Sequence, residues 1–208
     1  MFKKTTIKKI NNWITEGFEK RSEEASKECC DYFLKAWDAL HKNAPKSYRD
    51  FSLLVEKYNQ DEADYDWGGW IWEVGEELGN AGKHHPECLE HRIEFIESFK
   101  TRFPETSDEE LMEYLQRTLI RTNFLLKKDE AGEQAVKDFY KKIDYSVWGY
   151  IEWGDALIKR VAVPSKAIYE QVLNIYEKGL GLDDDEEFMD ILKSRITRIQ
   201  QKMKNLIE

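Results

Sequence analysis

The stretch Tyr65–Gly82 reads YDWGGWIWEVGEELGNAG. Three tryptophans, Trp67, Trp70 and Trp72, fall within six residues, next to Glu73, Glu76 and Glu77. At 100° per residue, Trp67, Trp70, Ile71, Val74 and Leu78 line one helical face. Trp72 points away from it, together with Glu76. The segment Gly79-Asn80-Ala81-Gly82 then supplies residues that tolerate the left-handed conformation of a helix end. The stretch therefore predicts one helix, aromatic on more than one side, with its own stop signal. A middle helix in a stacked array buries two faces, because it touches partners on both sides. The same residues suit a ligand cage or a peptide groove, and the sequence leaves that alternative open.

A second stretch, Trp148–Asp155, reads WGYIEWGD. Trp148, Ile151 and Ile158 share one helical face, and Tyr150, Trp153 and Leu157 share another. Gly154 fits a position where two helices approach closely. Asp155 lies on the face of Trp148, Ile151 and Ile158. If buried, it needs a donor. A structural hydrogen bond to a neighbouring helix start, a functional role and simple exposure all remain open for it.

Outward from these two stretches, apolar residues recur at helical spacing almost everywhere. The first helix carries Ile7, Ile10, Ile14 and Phe18. The second carries Ala25, Cys29, Tyr32, Phe33, Ala36, Trp37 and Leu40 and stops before HKNAP, where Pro45 disfavours helix at the residue before it. The third carries Tyr48, Phe51, Leu54, Val55 and Tyr58, with Ser47 as N-cap. After the opening stretch, Pro86 suits the first turn of a fifth helix bearing Leu89, Ile93, Ile96 and Phe99. Ser107 and Glu110 form a capping box for a sixth, with Leu111, Leu115, Leu119 and Thr122 on its face. A seventh follows with Ala131, Ala135, Val136, Phe139 and Ile143. The eighth starts near Val147. Pro164-Ser165 opens a ninth with Ile168, Val172, Tyr176 and Leu180. The acidic run in GLGLDDDEE sits at the start of a tenth, where negative charge suits the helix dipole. That helix carries Phe188, Ile191, Leu192, Ile199, Met203 and Leu206. No strand is convincing. The expected fold is all-α, about ten antiparallel helices in one domain over residues 1–208, with N-terminal helices in 1–62, three helix pairs in 63–182 and a C-terminal helix in 183–208.

Bulk composition agrees. Of 208 residues, 41% are hydrophobic and 13% aromatic, which excludes a disordered chain despite 35% charged residues. Only 4 prolines and 11 glycines punctuate it, too few for an all-β protein. The net charge is −9, so a nucleic-acid backbone is repelled unless cations are focused. Lys3, Lys4, Lys8 and Lys9, and Lys193, Arg195, Arg198, Lys202 and Lys204, are spread at helical spacing and read as solvated faces. No stretch approaches the roughly 20 apolar residues of a membrane span. MFKKTTIKKINNW lacks the apolar core of a secretory signal. The 3 cysteines are an odd count, with Cys29 and Cys30 adjacent. Reduced thiols and a cytoplasmic location are expected, without nucleic-acid or membrane partners.

Helices four to nine read as three successive pairs, the logic of a helical solenoid. Ala135 and Phe139 match the tetratricopeptide spacing of a small residue followed by an aromatic four later. Val172, Tyr176 and Gly179-Leu180 follow it more loosely, and the gap from Gly154 to Val172 is longer than that pattern. The Trp-rich helix ending in Leu78-Gly79-Asn80-Ala81-Gly82, followed by an Arg-containing helix and then by Trp148–Asp155, resembles the helical region of bacterial proteins that carry a SEC-C zinc motif. The resemblance spans roughly residues 50–180. It implies tetratricopeptide-like helix pairs and no established catalytic activity. No cysteine cluster follows the helices within the 208 residues, so the zinc motif itself is not part of the resemblance.

The candidate residues follow from this reading. An extended concave face is the binding surface of such an array, and an acidic array suits a protein partner with a basic segment. Trp72, Glu76, Glu152 and Trp153 are the expected contact residues. The alternative is a small-ligand or catalytic pocket around Asn80, Trp153 and Asp155. Pairing of the C-terminal helix between chains is a third possibility, and the oligomeric state is open. His84, Cys88 and His91 follow i, i+4, i+7 spacing that suits zinc. Pro86 marks a helix start between them, and a structural site wants a fourth ligand, so boundary residues are the simpler reading. Phosphate-loop, dinucleotide, nucleophile-elbow and His-Glu-x-x-His motifs are absent. No cofactor is expected, and no catalytic residue is nominated.

Overall fold

The computed structural model describes residues 2–22, 26–58, 66–182 and 184–206. Ala25, Tyr65 and Asp183, used in the reading above, lie outside the described residues. Among those described there are ten α-helices and no strand. They are α1 (Lys4–Ser22), α2 (Ser26–Asn43), α3 (Phe51–Tyr58), α4 (Trp67–Ala81), α5 (Glu87–Arg102), α6 (Glu109–Leu125), α7 (Asp129–Tyr140), α8 (Trp148–Lys159), α9 (Lys166–Gly179) and α10 (Glu186–Lys204).

Several helix ends differ from the sequence reading, each for a local reason. α2 continues through His41-Lys42-Asn43, because the restriction imposed by Pro45 falls on Ala44 alone. Its exposed carbonyl end is met by Arg102, whose guanidinium donates to Ala44 O at 2.8 Å, Pro45 O at 2.9 Å and Tyr48 O at 2.8 Å. Ser47 is not the cap of α3. Asp50 Oδ1 accepts from Ser52 N at 2.8 Å instead. Ser107 does not cap α6 either. That task falls to Asp108, whose Oδ1 accepts from Leu111 N at 2.9 Å, while Ser107 hydrogen-bonds Asp50. Ser165 caps α9 as its position predicts, accepting from Ile168 N at 3.4 Å. From the acidic run, Asp184 serves α8: its Oδ2 accepts from Val147 N at 2.7 Å.

The chain divides into two compact units, residues 1–115 and 116–208, and the boundary falls inside α6. No linker marks it, which is why composition alone offered no boundary. In the first unit α1 packs on α2, α2 on α4 and α5, α4 on α5, and α3 on α4. Aromatic rings fill the space. Trp37 stacks on Phe99 with centroids 5.7 Å apart and meets Phe95 edge-on at 5.1 Å, and its indole donates to Ser98 Oγ at 2.9 Å. Each such buried side chain stabilises the unit by roughly 1.5–3 kcal/mol. In the second unit α8 packs on α7 and α9, and α9 on α10. Ala135, Phe139, Val172 and Tyr176 are all buried. α10 buries Leu192, Ile196 and Ile199, while Lys193, Ser194, Thr197, Arg198 and Gln200 are exposed. Leu206, assigned above to its apolar stripe, is 51% exposed, and Ala131 of α7 is exposed as well.

Charge divides with the units. Residues 1–115 contain 16 Lys and Arg against 25 Asp and Glu, and residues 116–208 contain 16 against 16. The whole net charge of −9 therefore belongs to the first unit.

Candidate functional site

The Trp-rich stretch sits on α4, and its polar face is held by side chains from other helices of the first unit. Trp67 Nε1 donates to Asn11 Oδ1 of α1 at 2.8 Å. Trp72 is half-buried and stacks on Tyr114 of α6, with centroids 4.2 Å apart. The Tyr114 hydroxyl lies 2.9 Å from Glu76 Oε1 and 3.0 Å from the Trp72 carbonyl, both acceptors. It crosses the helix at Gly75, where a Cβ would come within 2.5 Å of the hydroxyl oxygen. Glu76 also faces Arg92 of α5 at 3.5 Å, and Arg92 is only 2% exposed. Three residues earlier, Glu73 accepts from Arg21 of α1 at 2.6 Å. Glu77, 3.6 Å from the same guanidinium, is buried, and burial raises its carboxyl pKa against the opposing pull of Arg21.

The second stretch repeats this geometry on α8, in the second unit. Gly154 lets α9 approach so closely that any Cβ there would overlap the ring of Tyr176. The Tyr176 hydroxyl donates to Asp155 Oδ1 at 2.6 Å. Asp155 also takes Arg195 of α10 through Nε at 3.1 Å and Nη2 at 3.1 Å. Burial and then the Asp155 carboxylate push the Tyr176 phenol upward, so it stays a donor at every ordinary pH. Burial works against the Arg195 cation, but the hydrogen bonds to Asp155 and the negative charge of Asp155 and its neighbours together raise its pKa. Glu152, three residues before Asp155, is 7% exposed and forms ion pairs with Arg121 at 3.0 Å and Arg117 at 3.6 Å. Arg117 in turn lies over the Trp148 ring at 3.8 Å.

The two segments Glu73-Val-Gly75-Glu76 and Glu152-Trp-Gly154-Asp155 thus share one device. The leading Glu pairs with Arg of an earlier helix. Glycine admits a Tyr ring from a later helix, and the following carboxylate takes the Tyr hydroxyl and an Arg. Asp155 is mostly withdrawn from water and Glu76 only half so, with a side chain 47% exposed, yet each carboxylate holds a Tyr hydroxyl and an Arg and so links three helices.

The sequence-nominated residues can now be placed. Trp72 and Glu76 are neighbours through Tyr114 in the first unit. Trp153 of the second unit stacks on Phe124 with centroids 5.2 Å apart and planes 7° from parallel, under Lys178 at 5.7 Å. Its buried indole N–H has no acceptor among the described residues. Glu152 is spent on Arg117 and Arg121, and both oxygens of Asp155 on Tyr176 and Arg195. Asn80 is an exposed residue of the first unit whose Oδ1 accepts from Lys83 Nζ at 3.1 Å. His84 is exposed, His91 half-buried and Cys88 buried. Among the described residues no group of three or more His, Cys, Asp or Glu is placed to hold a metal ion. No described helix is long and apolar enough to cross a membrane.

Sequence reasoning missed the arginines. Arg92 stands among Leu89, Ile93 and Ile96, inside the apolar stripe of α5. A cation at a core position requires a buried acceptor, and that was the readable signal. No family model matches the chain, and no curated protein matches it.

Proposed function

We propose that this protein is a non-enzymatic, tetratricopeptide-like interaction protein whose first unit binds a basic segment of a protein partner in the cytoplasm. The separation of charge carries the reading: the first unit holds the entire net charge of −9, and the second is neutral. Along α5, Glu87, Glu90, Glu94 and Glu97 follow one another at i, i+3, i+7 and i+10. Like charges at this spacing oppose each other by a few tenths of a kcal/mol per pair. A cationic partner relieves that repulsion and is steered toward it. Glu94 and Glu97 are exposed and make no ion pair among the described residues. Trp72 and Glu76 supply an aromatic and a carboxylate in the same unit.

In this reading Glu152, Trp153 and Asp155 position α8 and do not touch the partner. Their intramolecular contacts also speak for a scaffold and against a pocket around Asn80, Trp153 and Asp155. The resemblance to the helical region of SEC-C motif proteins supports the same class. The test is the double variant Glu94→Lys/Glu97→Lys, used beside the wild type to capture partners from the native host at low and high ionic strength. The partner should be lost in the variant and weakened by salt. Equal capture by both proteins at both ionic strengths would overturn the reading.

A further inference from the structure

Inside the acidic first unit, the α1 segment has the opposite charge. Residues 2–22 hold 6 Lys and Arg against 2 Glu, a net +4, while residues 23–115 hold 10 against 23, a net −13. We propose that α1 is an internal stand-in for the partner: its seat on α2 and α4 is a docking surface for a basic amphipathic helix, and the partner's helix enters by displacing α1. The inference rests on the reading of the first unit as a receptor for a basic segment. It adds the shape of that segment and the contact that controls its entry.

The chemistry of the seat can be read from the helix that occupies it. Ile10 and Ile14 form the buried apolar stripe of α1. Gly17 lies so close to α2 that a Cβ there would overlap the Phe33 ring, and Phe18 meets the same ring edge-on at 5.1 Å. One turn further on, Arg21 reaches α4, 2.6 Å from Glu73 and 3.6 Å from Glu77. Toward the other end, Asn11 Oδ1 accepts from the buried Trp67 indole at 2.8 Å. A helix that fits this seat has two aliphatic residues four apart, a glycine three further on and an arginine four after that. A side-chain acceptor directly follows the first aliphatic residue.

The ties between α1 and α4 are of a kind that a competitor can take over. The Arg21 and Glu73 side chains are 41% and 39% exposed, so water and salt already weaken their pair. Lys3, Lys4, Lys8 and Lys9 are exposed and add an attraction to the acidic remainder of the unit that salt also screens. A tethered occupant holds the seat at a high effective concentration. It lowers the affinity of any rival in proportion to the fraction of time the seat stands empty. Scattered lysines therefore do not displace α1, and a helix that matches its whole pattern does.

The probe is a fluorescein-labelled synthetic peptide of residues 2–22, titrated into the ¹⁵N-labelled full-length protein and followed by anisotropy and by hydrogen exchange. The peptide should bind. At saturation the amides of the protein's own α1 should lose protection, while those of α2 and α4 keep theirs. Arg21→Ala in the protein should tighten the peptide about fivefold by weakening the tethered competitor, and Arg21→Ala in the peptide should weaken it about fivefold. A peptide of the same composition in scrambled order should not bind. Binding that leaves α1 protected, equal binding of the scrambled peptide, indifference to Arg21→Ala on both sides, or no binding even by the Arg21→Ala protein would each overturn the proposal. A wild-type mass of two chains without peptide would assign the seat to a second copy and overturn it too. The probe comes from this chain, so failure here leaves capture through Glu94 and Glu97 standing, and failure of that capture leaves displacement of α1 measurable.

Discussion

The Tyr176 hydroxyl donates to Asp155 at 2.6 Å, across Gly154 of α8, which has no side chain to keep the ring away. Tyr114 meets Glu76 in the same way across Gly75, at 2.9 Å. Each contact joins three helices through a single carboxylate. The aromatic-acidic stretches that invite a search for a catalytic site are therefore, first, the joints of the two units.

The Tyr176 joint should be measurable. Tyr176→Phe should lower unfolding free energy in urea by about 2 kcal/mol, the scale of a hydrogen bond to a charged group. Gly154→Ala should cost about 1–3 kcal/mol by forcing α9 off α8. In a double-mutant cycle Tyr176→Phe and Asp155→Asn should couple by about 1 kcal/mol. Additive losses would mean that the hydroxyl and the carboxylate act separately.

Glu152 gives a sharper contrast with a surface acid. Glu152→Ala removes the carboxylate that forms ion pairs with Arg117 and Arg121, whose side chains are each 24% exposed. Partial exposure lets water relieve them, so the expected loss is about 2 kcal/mol, less than for a fully buried pair. Glu94→Gln, on the exposed row of α5, should stay within about 0.5 kcal/mol of wild type. Chemical denaturation of the two variants side by side decides the matter.

The pH dependence of stability should carry the mark of Glu77. Burial raises its folded pKa above the ordinary 4.5. A group raised on folding contributes stability that is present below its unfolded pKa and is lost as pH rises through the folded value. Wild type should therefore lose some stability between about pH 4.5 and neutrality on account of this residue. Glu77→Gln should flatten that part of the profile, as urea midpoints across the range will report.

Thiol reactivity should follow the order of burial and charge. Burial pushes the Cys29 thiol up to about 12 from an ordinary 9.0. In the folded protein at pH near 8, Cys29 and Cys30, both pushed up by burial, should react with an aromatic disulfide reagent more slowly than Cys88. In strong denaturant all three should react at one rate. Stopped-flow absorbance on single-cysteine variants reads the order directly.

The fold was legible because its signal is periodic. Long apolar stripes such as Trp67, Trp70, Ile71, Val74 and Leu78 specify a helix and its buried side without knowledge of its neighbours, and all five are buried. Helix ends were less legible, because caps are single local hydrogen bonds. Ser107 and Asp108 are equally good cap residues by type, and only the route of the chain past Asp50 decides between them. The joints were half legible. Gly154 and Asp155 stood out, but their partners Tyr176 and Arg195 lie 21 and 40 residues away. Nothing local announces a meeting at that range. The division of charge could have been read from the sequence, but only once the boundary inside α6 was known.

Zero-length carbodiimide cross-linking in the native host, followed by capture of the tagged protein and peptide mapping, tests the central claim most directly. It joins carboxylates to lysines in direct contact, so it reads both the partner and the face. The account predicts one protein partner joined through its lysines to carboxylates of the first unit, with Glu94 and Glu97 among them. Recovery of the chain alone at its own 24.7 kDa, or links confined to residues 116–208, would contradict it.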